Sequence, residues 1–100
     1  MYKELRFEWD ENKNRINRKK HHVSFEEAYE AFLDEEGLLI PDPDHSDDEE
    51  RFVLLGLTSK MAVLTVVHCL REEESVIRII SARAATKKER TVYLERRRNR

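Results

Sequence analysis

Apolar positions along the chain fall in short runs whose period changes from two to about 3.6 and back again. Residues 5–9, Leu-Arg-Phe-Glu-Trp, alternate apolar and charged, which predicts a short first strand. Asp10 is a good N-cap for a helix over 11–21, with Glu11 in the positive first turn and basic residues near its end. That helix has almost no apolar face beyond Ile16, so it is expected on the surface, its basic side chains facing water or a partner. Ser24 and Glu27 form a capping box, and Phe25, Ala28, Tyr29, Phe32 and Leu33 then make an amphipathic stripe, predicting a helix over 25–34. Gly37 supplies a turn, and Leu38-Leu39-Ile40 begins a strand that stops at Pro41. The stretch "PDPDHSDDEE" reads as a loop, because six acids in residues 42–50 would repel one another in any packed element.

Three strands are expected next, at about 51–58, 62–70 and 75–82, joined by connections short enough for hairpins. Near-continuous apolar runs in the last two predict central strands covered on both faces. Thr86 and Glu89 form a second capping box, opening a helix over 87–95, with the basic residues 96–100 fraying beyond a single domain of residues 1–95. The order β-α-α-β-β-β-β-α describes an α+β domain: a mostly antiparallel sheet of four to five strands with two N-terminal helices and one C-terminal helix.

Composition changes this picture little, but charge changes it more. One cysteine, Cys69, cannot form an intramolecular disulfide and suits a reducing cytoplasm, and no apolar run is long enough to span a bilayer. The formal net charge of −2 hides a segregation. Residues 1–22 carry seven Lys/Arg against four acids, residues 23–50 twelve acids and no Lys/Arg, and residues 83–100 eight Lys/Arg against two acids. The molecule has basic ends and an acidic middle, which favours an anionic partner for the ends.

Four stretches, "FEWDENK", "KKHHVSFEEA", "RFVLLGLTS" and "RIISARAATKKER", resemble in that order the BrnT family of bacterial type II toxins, over about residues 7–93. The resemblance implies a RelE-like fold and ribonuclease activity without a cofactor. It also implies a co-expressed antitoxin of the BrnA type, with a ribbon-helix-helix domain through which any DNA contact is made; a toxin–antitoxin heterotetramer is expected. Two positions depart from the family pattern: His22 stands where members commonly have Gly, and Ala84 where many have Lys. If the Gly marks a turn with positive φ, His adopts it only at some cost.

Metal-free RNA cleavage needs a base for the 2′-OH, an acid for the leaving 5′ oxygen and cations for the phosphate. Arginine suits the last task, because its planar fork pairs with phosphate oxygens and stays charged. Arg83, Arg51 and Arg78 stand at strand ends or within a strand and are the candidates. Strict alternation puts Arg78 and Arg83 on opposite faces, since five residues separate them; they reach one site only if the strand bends or ends near Ser81. Arg78 has a structural alternative, as an arginine on a covered face. For acid–base work His21 is the candidate, with Lys20 as helper and a capping role as its alternative; His68, in an apolar strand, reads better as a core histidine. Lys19 and Lys20 on the first helix, with a solvated charged face as their equal alternative, and Lys87 and Lys88 on the last, are candidates for the RNA backbone. Trp9, Phe52 and Tyr93 are candidate stacking platforms, with core packing the better reading of each. No ligand spacing supports a metal site built from His21, His22, His68 and Cys69. The rival class is a non-catalytic nucleic-acid-binding or regulatory module using the same basic ends.

Overall fold

The computed structural model describes residues 5–42, 51–73 and 75–99. Among these, the elements in chain order are β1 (Arg6–Glu8), α1 (Glu11–His21), α2 (Phe25–Ala31), β2 (Leu38–Pro41), β3 (Arg51–Leu57), β4 (Val63–Arg71), β5 (Val76–Ala84) and α3 (Lys87–Arg98). The expected element order and α+β class hold. One five-stranded sheet runs β1-β5-β4-β3-β2, with β2 to β5 an antiparallel meander. β1 joins the edge of β5 in parallel, a pairing that no hairpin constrains and the alternation pattern did not disclose. The expected acidic loop and His45 fall largely or wholly on residues 43–50, outside the described residues.

One face of the sheet is closed. Phe25, Ala28 and Ala31 of α2 are fully buried against Leu54, Leu64, Val66, Ile79 and Ala82. Burying a large aliphatic or aromatic side chain there contributes roughly 1.5–3 kcal/mol. The approach is close enough that a Cβ on Gly56 would lie 2.5 Å from the Ala31 carbonyl oxygen, so β3 needs glycine at that point. α2 ends at Ala31, earlier than the apolar stripe predicts. Its chain turns there so that the Asp34 carboxylate accepts from the N–H groups of Glu36 and Leu57, at 2.9 and 2.8 Å.

The other face is half closed. Tyr93 of α3 is fully buried among Leu55, Val63 and Ala85, and its hydroxyl donates to Asp34. Burial acts to raise the Asp34 pKa, but the bonds from Tyr93, Leu57 and Glu36, with Arg97 nearby, hold the carboxyl below its ordinary range. α3 continues to Arg98, past the expected end, and Arg97 donates to the Tyr93 hydroxyl at 3.2 Å. Coverage of β4 and β5 on both faces, expected from their apolar runs, is therefore only partial. Val67, Ile80 and Ser81 line an open groove instead.

α1 is held without an apolar stripe. Ile16 is 52% exposed, whereas Asn14 and Asn17 are buried. Asn17 donates to the carbonyls of Ala82 and Val23, both at 2.8 Å, and accepts from the Ala82 N–H at 3.2 Å. Its carboxamide thus satisfies the free edge of β5 where β1 has already ended. Asn14 accepts from the Phe25 N–H at 2.8 Å and donates to Glu11 and Glu26, tying α1 to the start of α2. Between the two helices His22 is left-handed, φ 61° and ψ 28°, the conformation its glycine-like position requires.

Candidate functional site

The placement of the two β5 arginines turns on one residue. Arg78 pairs with Cys69, Ile79 with His68, but Ser81 with Val67 and Arg83 with Thr65, so the register slips at Ile80. This bulge adds one residue to β5, and Arg78 and Arg83, five apart, come to lie on the same face. That face is the half-open one: Cys69, Val67 and Thr65 carry it on β4, and Arg51 and Val53 on β3.

A groove of about 410 Å³ lies on it, floored by Val53, Val67, Ile80 and Ser81 and flanked by Arg51 and Asp42 on one side and Thr65, Arg83 and Glu89 on the other. Arg83 is held firmly: its Nη1 and Nη2 donate to the two Glu89 carboxylate oxygens at 2.8 and 3.0 Å. Glu89 Oε1 also accepts from the Thr86 N–H and the Thr65 hydroxyl, both at 2.8 Å. The Arg83 fork is the main cause that holds the Glu89 carboxyl at about 2, against its partial burial; the Thr86 and Thr65 bonds add to it. The same pairing raises the Arg83 pKa further. Glu89 is therefore ionised at neutral pH and poorly suited to taking a proton. Arg51 contrasts with Arg83: among the described residues no carboxylate pairs with it.

Arg78 shares the face but does not line the groove. Its Nη1 donates to Glu8 on the neighbouring β1 at 2.9 Å, an ion pair that fastens the parallel edge strand. His21 and Lys20 line a second cavity of about 200 Å³, together with Lys13, Ile16, Asn17, Ile80 and Ser81. Ile80 and Ser81 belong to both cavities, so the α1 groups and the arginine groove meet across the bulge. Lys19, Lys87 and Lys88 are exposed and line neither cavity.

The remaining candidates point elsewhere. His68 is 2% exposed on the closed face, edge-on to Phe32 at 4.8 Å and tilted against Phe52, and burial pushes its pKa down to about 4. It is neutral at physiological pH and faces away from the groove. Tyr93 is a core residue, and Trp9 packs edge-on to Phe25 while its indole N–H donates to Glu11. Among the described residues no three His, Cys, Asp or Glu side chains gather as metal ligands would, so His21, His22, His68 and Cys69 do not converge.

Two groove residues escaped sequence reasoning. Glu89 was legible only as a capping-box carboxylate; its second partner, six residues back across the strand-to-helix turn, was the available signal. Thr65 gave none, since a threonine in an apolar strand is ordinary.

Comparison with known proteins agrees with the fold. The family model described as "Ribonuclease toxin, BrnT, of type II toxin-antitoxin system" matches residues 9–89. The crystal structure of the Brucella abortus ribonuclease toxin BrnT, solved at 1.1 Å, superposes with a TM-score of 0.65 at 23% identity, covering 83% of this chain and 99% of that one. No curated protein sequence matches. No helix among the described residues is long and apolar enough to cross a membrane. With four sequence motifs, a matched span of residues 9–89 and the corresponding fold, the chain belongs to the BrnT family of ribonuclease toxins of type II toxin–antitoxin systems.

Proposed function

We propose that this protein is an endoribonuclease toxin that cleaves RNA without a metal, by attack of the ribose 2′-OH on the adjacent phosphorus. The observation that carries the reading is that Arg51 and Arg83, from different strands, flank one groove whose Ile80–Ser81 floor is shared with the cavity of His21 and Lys20. In this reading the scissile phosphate lies over that floor, and Arg83 and Arg51 stabilise the charge that builds on its oxygens. The O2′–P bond forms as the P–O5′ bond breaks. His21 accepts the 2′ proton or supplies the proton to the leaving 5′ oxygen, with Lys20 beside it. Products are a 2′,3′-cyclic phosphate and a 5′-hydroxyl.

Lys19, Lys87 and Lys88, exposed on α1 and α3, extend the positive surface along which the RNA backbone runs. Arg78 is better explained as structural, given its pair with Glu8. The protein acts in the cytoplasm and is neutralised by an antitoxin of the BrnA type, whose ribbon-helix-helix domain makes any DNA contact within a heterotetramer.

The test is incubation of purified, antitoxin-free protein with a defined RNA in excess EDTA, reading product ends as well as lengths. Cyclic phosphate ends from the wild type, and loss of cleavage on the order of 100-fold or more in a folded Arg83→Ala variant, are expected. A folded wild-type protein that shifts RNA on a gel but leaves its length unchanged, with and without translating ribosomes, is a binding module instead.

A further inference from the structure

The pairing of Arg83 with Glu89 leaves a particular part of the guanidinium available. Arginine carries five N–H donors in one plane. Nη1 spends both of its own, on Glu89 Oε1 at 2.8 Å and on the Ala84 carbonyl at 3.3 Å, and Nη2 spends one on Glu89 Oε2 at 3.0 Å. The two that remain, Nε–H and the outer Nη2–H, lie side by side along one edge of the plane, and among the described residues nothing takes them. Two parallel N–H groups on one guanidinium edge match two oxygens of a phosphodiester.

The carboxylate that holds the other edge is itself tied down by further hydrogen bonds. Glu89 Oε1 accepts from the Thr86 N–H at the start of α3 and from the Thr65 hydroxyl on β4, so the fork is referenced to both helix and sheet. Phosphate binding then requires no exchange of one carboxylate for another, because the two anions occupy different edges.

Resting on the ribonuclease reading above, we infer that Glu89 is a positioning residue: it orients Arg83 so that the Nε/Nη2 edge is presented to the scissile phosphate. Glu89 does not touch the substrate. Its negative charge lowers the net charge of the groove, which weakens ground-state attraction for RNA, while fixing Arg83 favours the transition state, where geometry matters most. Its effect should therefore fall on kcat rather than on KM.

Glu89→Gln separates this role from helix capping, because glutamine also serves in a capping box and retains an oxygen for Thr86 and Thr65. It cannot accept from both Arg83 nitrogens. Cleavage of a fluorescent RNA oligonucleotide would be followed for the wild type, Glu89→Gln, Arg83→Ala and the double variant, each checked for fold by circular dichroism. The expected result is a kcat loss on the order of 10- to 100-fold for Glu89→Gln with KM within about threefold, and no further loss when it is added to Arg83→Ala. A second readout uses RNA 2′-O-methylated throughout, which cannot be cut: the Arg83 Nε–H resonance should shift on titration in the wild type, and be broadened or averaged before titration in Glu89→Gln.

Wild-type activity in Glu89→Gln alongside an inactive Arg83→Ala would overturn the positioning role and leave the ribonuclease reading standing. Faster cleavage by Glu89→Gln would overturn it too, marking Glu89 as a competitor of the substrate. An Arg83 Nε–H that does not respond while other resonances shift would place the phosphate elsewhere. A folded wild type that neither cuts nor binds RNA would overturn the ribonuclease reading, and this inference with it.

Discussion

The two faces of the sheet solve opposite problems with the same strands. Under α2, every position is apolar, small or a neutralised polar group: Gly56 admits the helix backbone, and His68 sits uncharged between Phe32 and Phe52. On the other face α3 stops short, and Arg51, Thr65, Ser81, Arg83 and Glu89 surround a groove open to solvent. A charge is tolerated on the second face because solvent or a carboxylate reaches it, and excluded from the first because neither does. The rigidity of the closed face is what holds the open one in place. A five-stranded sheet anchored on one side can present side chains from three strands at fixed separations.

The open face offers the largest test of this contrast. Arg51 is unpaired among the described residues and lines the groove, whereas Arg78 is spent on Glu8. Arg51→Ala should lower kcat/KM by on the order of 100-fold while leaving the melting temperature within a few degrees. Arg78→Ala should change kcat/KM by no more than about threefold and reduce stability by about 1 kcal/mol or less, as expected of a pair this exposed. Equal loss of activity in both would mean that the edge strand belongs to the site.

The closed face should declare itself through pH. His68 has a folded pKa of about 4 against an ordinary 6.5, so the unfolded chain binds more protons between those values. Stability is complete above about pH 6.5 and is lost as pH falls through 4. Between pH 7.5 and 5 the loss should be about 2 kcal/mol, read from urea unfolding midpoints. His68→Leu should flatten the curve over this window. The lowered Glu89 pKa acts further down, between the ordinary carboxylate range and about 2, and leaves this window unaffected.

The smallest effect is expected at the joint between α1, which borders the open groove, and α2, which closes the other face. His22 holds a left-handed conformation that glycine adopts without strain. His22→Gly should raise stability by about 1 kcal/mol in thermal unfolding and leave cleavage unchanged. A drop in stability would show that the imidazole makes a compensating contact.

Much of this architecture was present in the order of residues. Ser24 with Glu27, and Thr86 with Glu89, marked both helix starts, because a capping box is satisfied within four residues. Pro41 ended β2, and short connections dictated the meander. The resemblance carried by four local motifs likewise named the family that the match over residues 9–89 shows. Arg83 and Arg51 were readable as candidates because strand ends expose their side chains, and both line the groove.

Tertiary structure decided what depends on partners far away in sequence. Alternation alone sent Arg78 and Arg83 to opposite faces; the bulge at Ile80, visible only once β4 is laid beside β5, returned them to one. A helix with no apolar stripe gave no hint of its attachment, since Asn17 reaches Ala82 across 65 residues of chain. The partner of β1 was likewise undetermined, because a strand of three residues carries too little pattern to choose an edge. Local interactions had been encoded where the residues that make them are neighbours. The site was not, because its groove exists only where α3 leaves part of the sheet uncovered and four strands, β2 to β5, bring their side chains together.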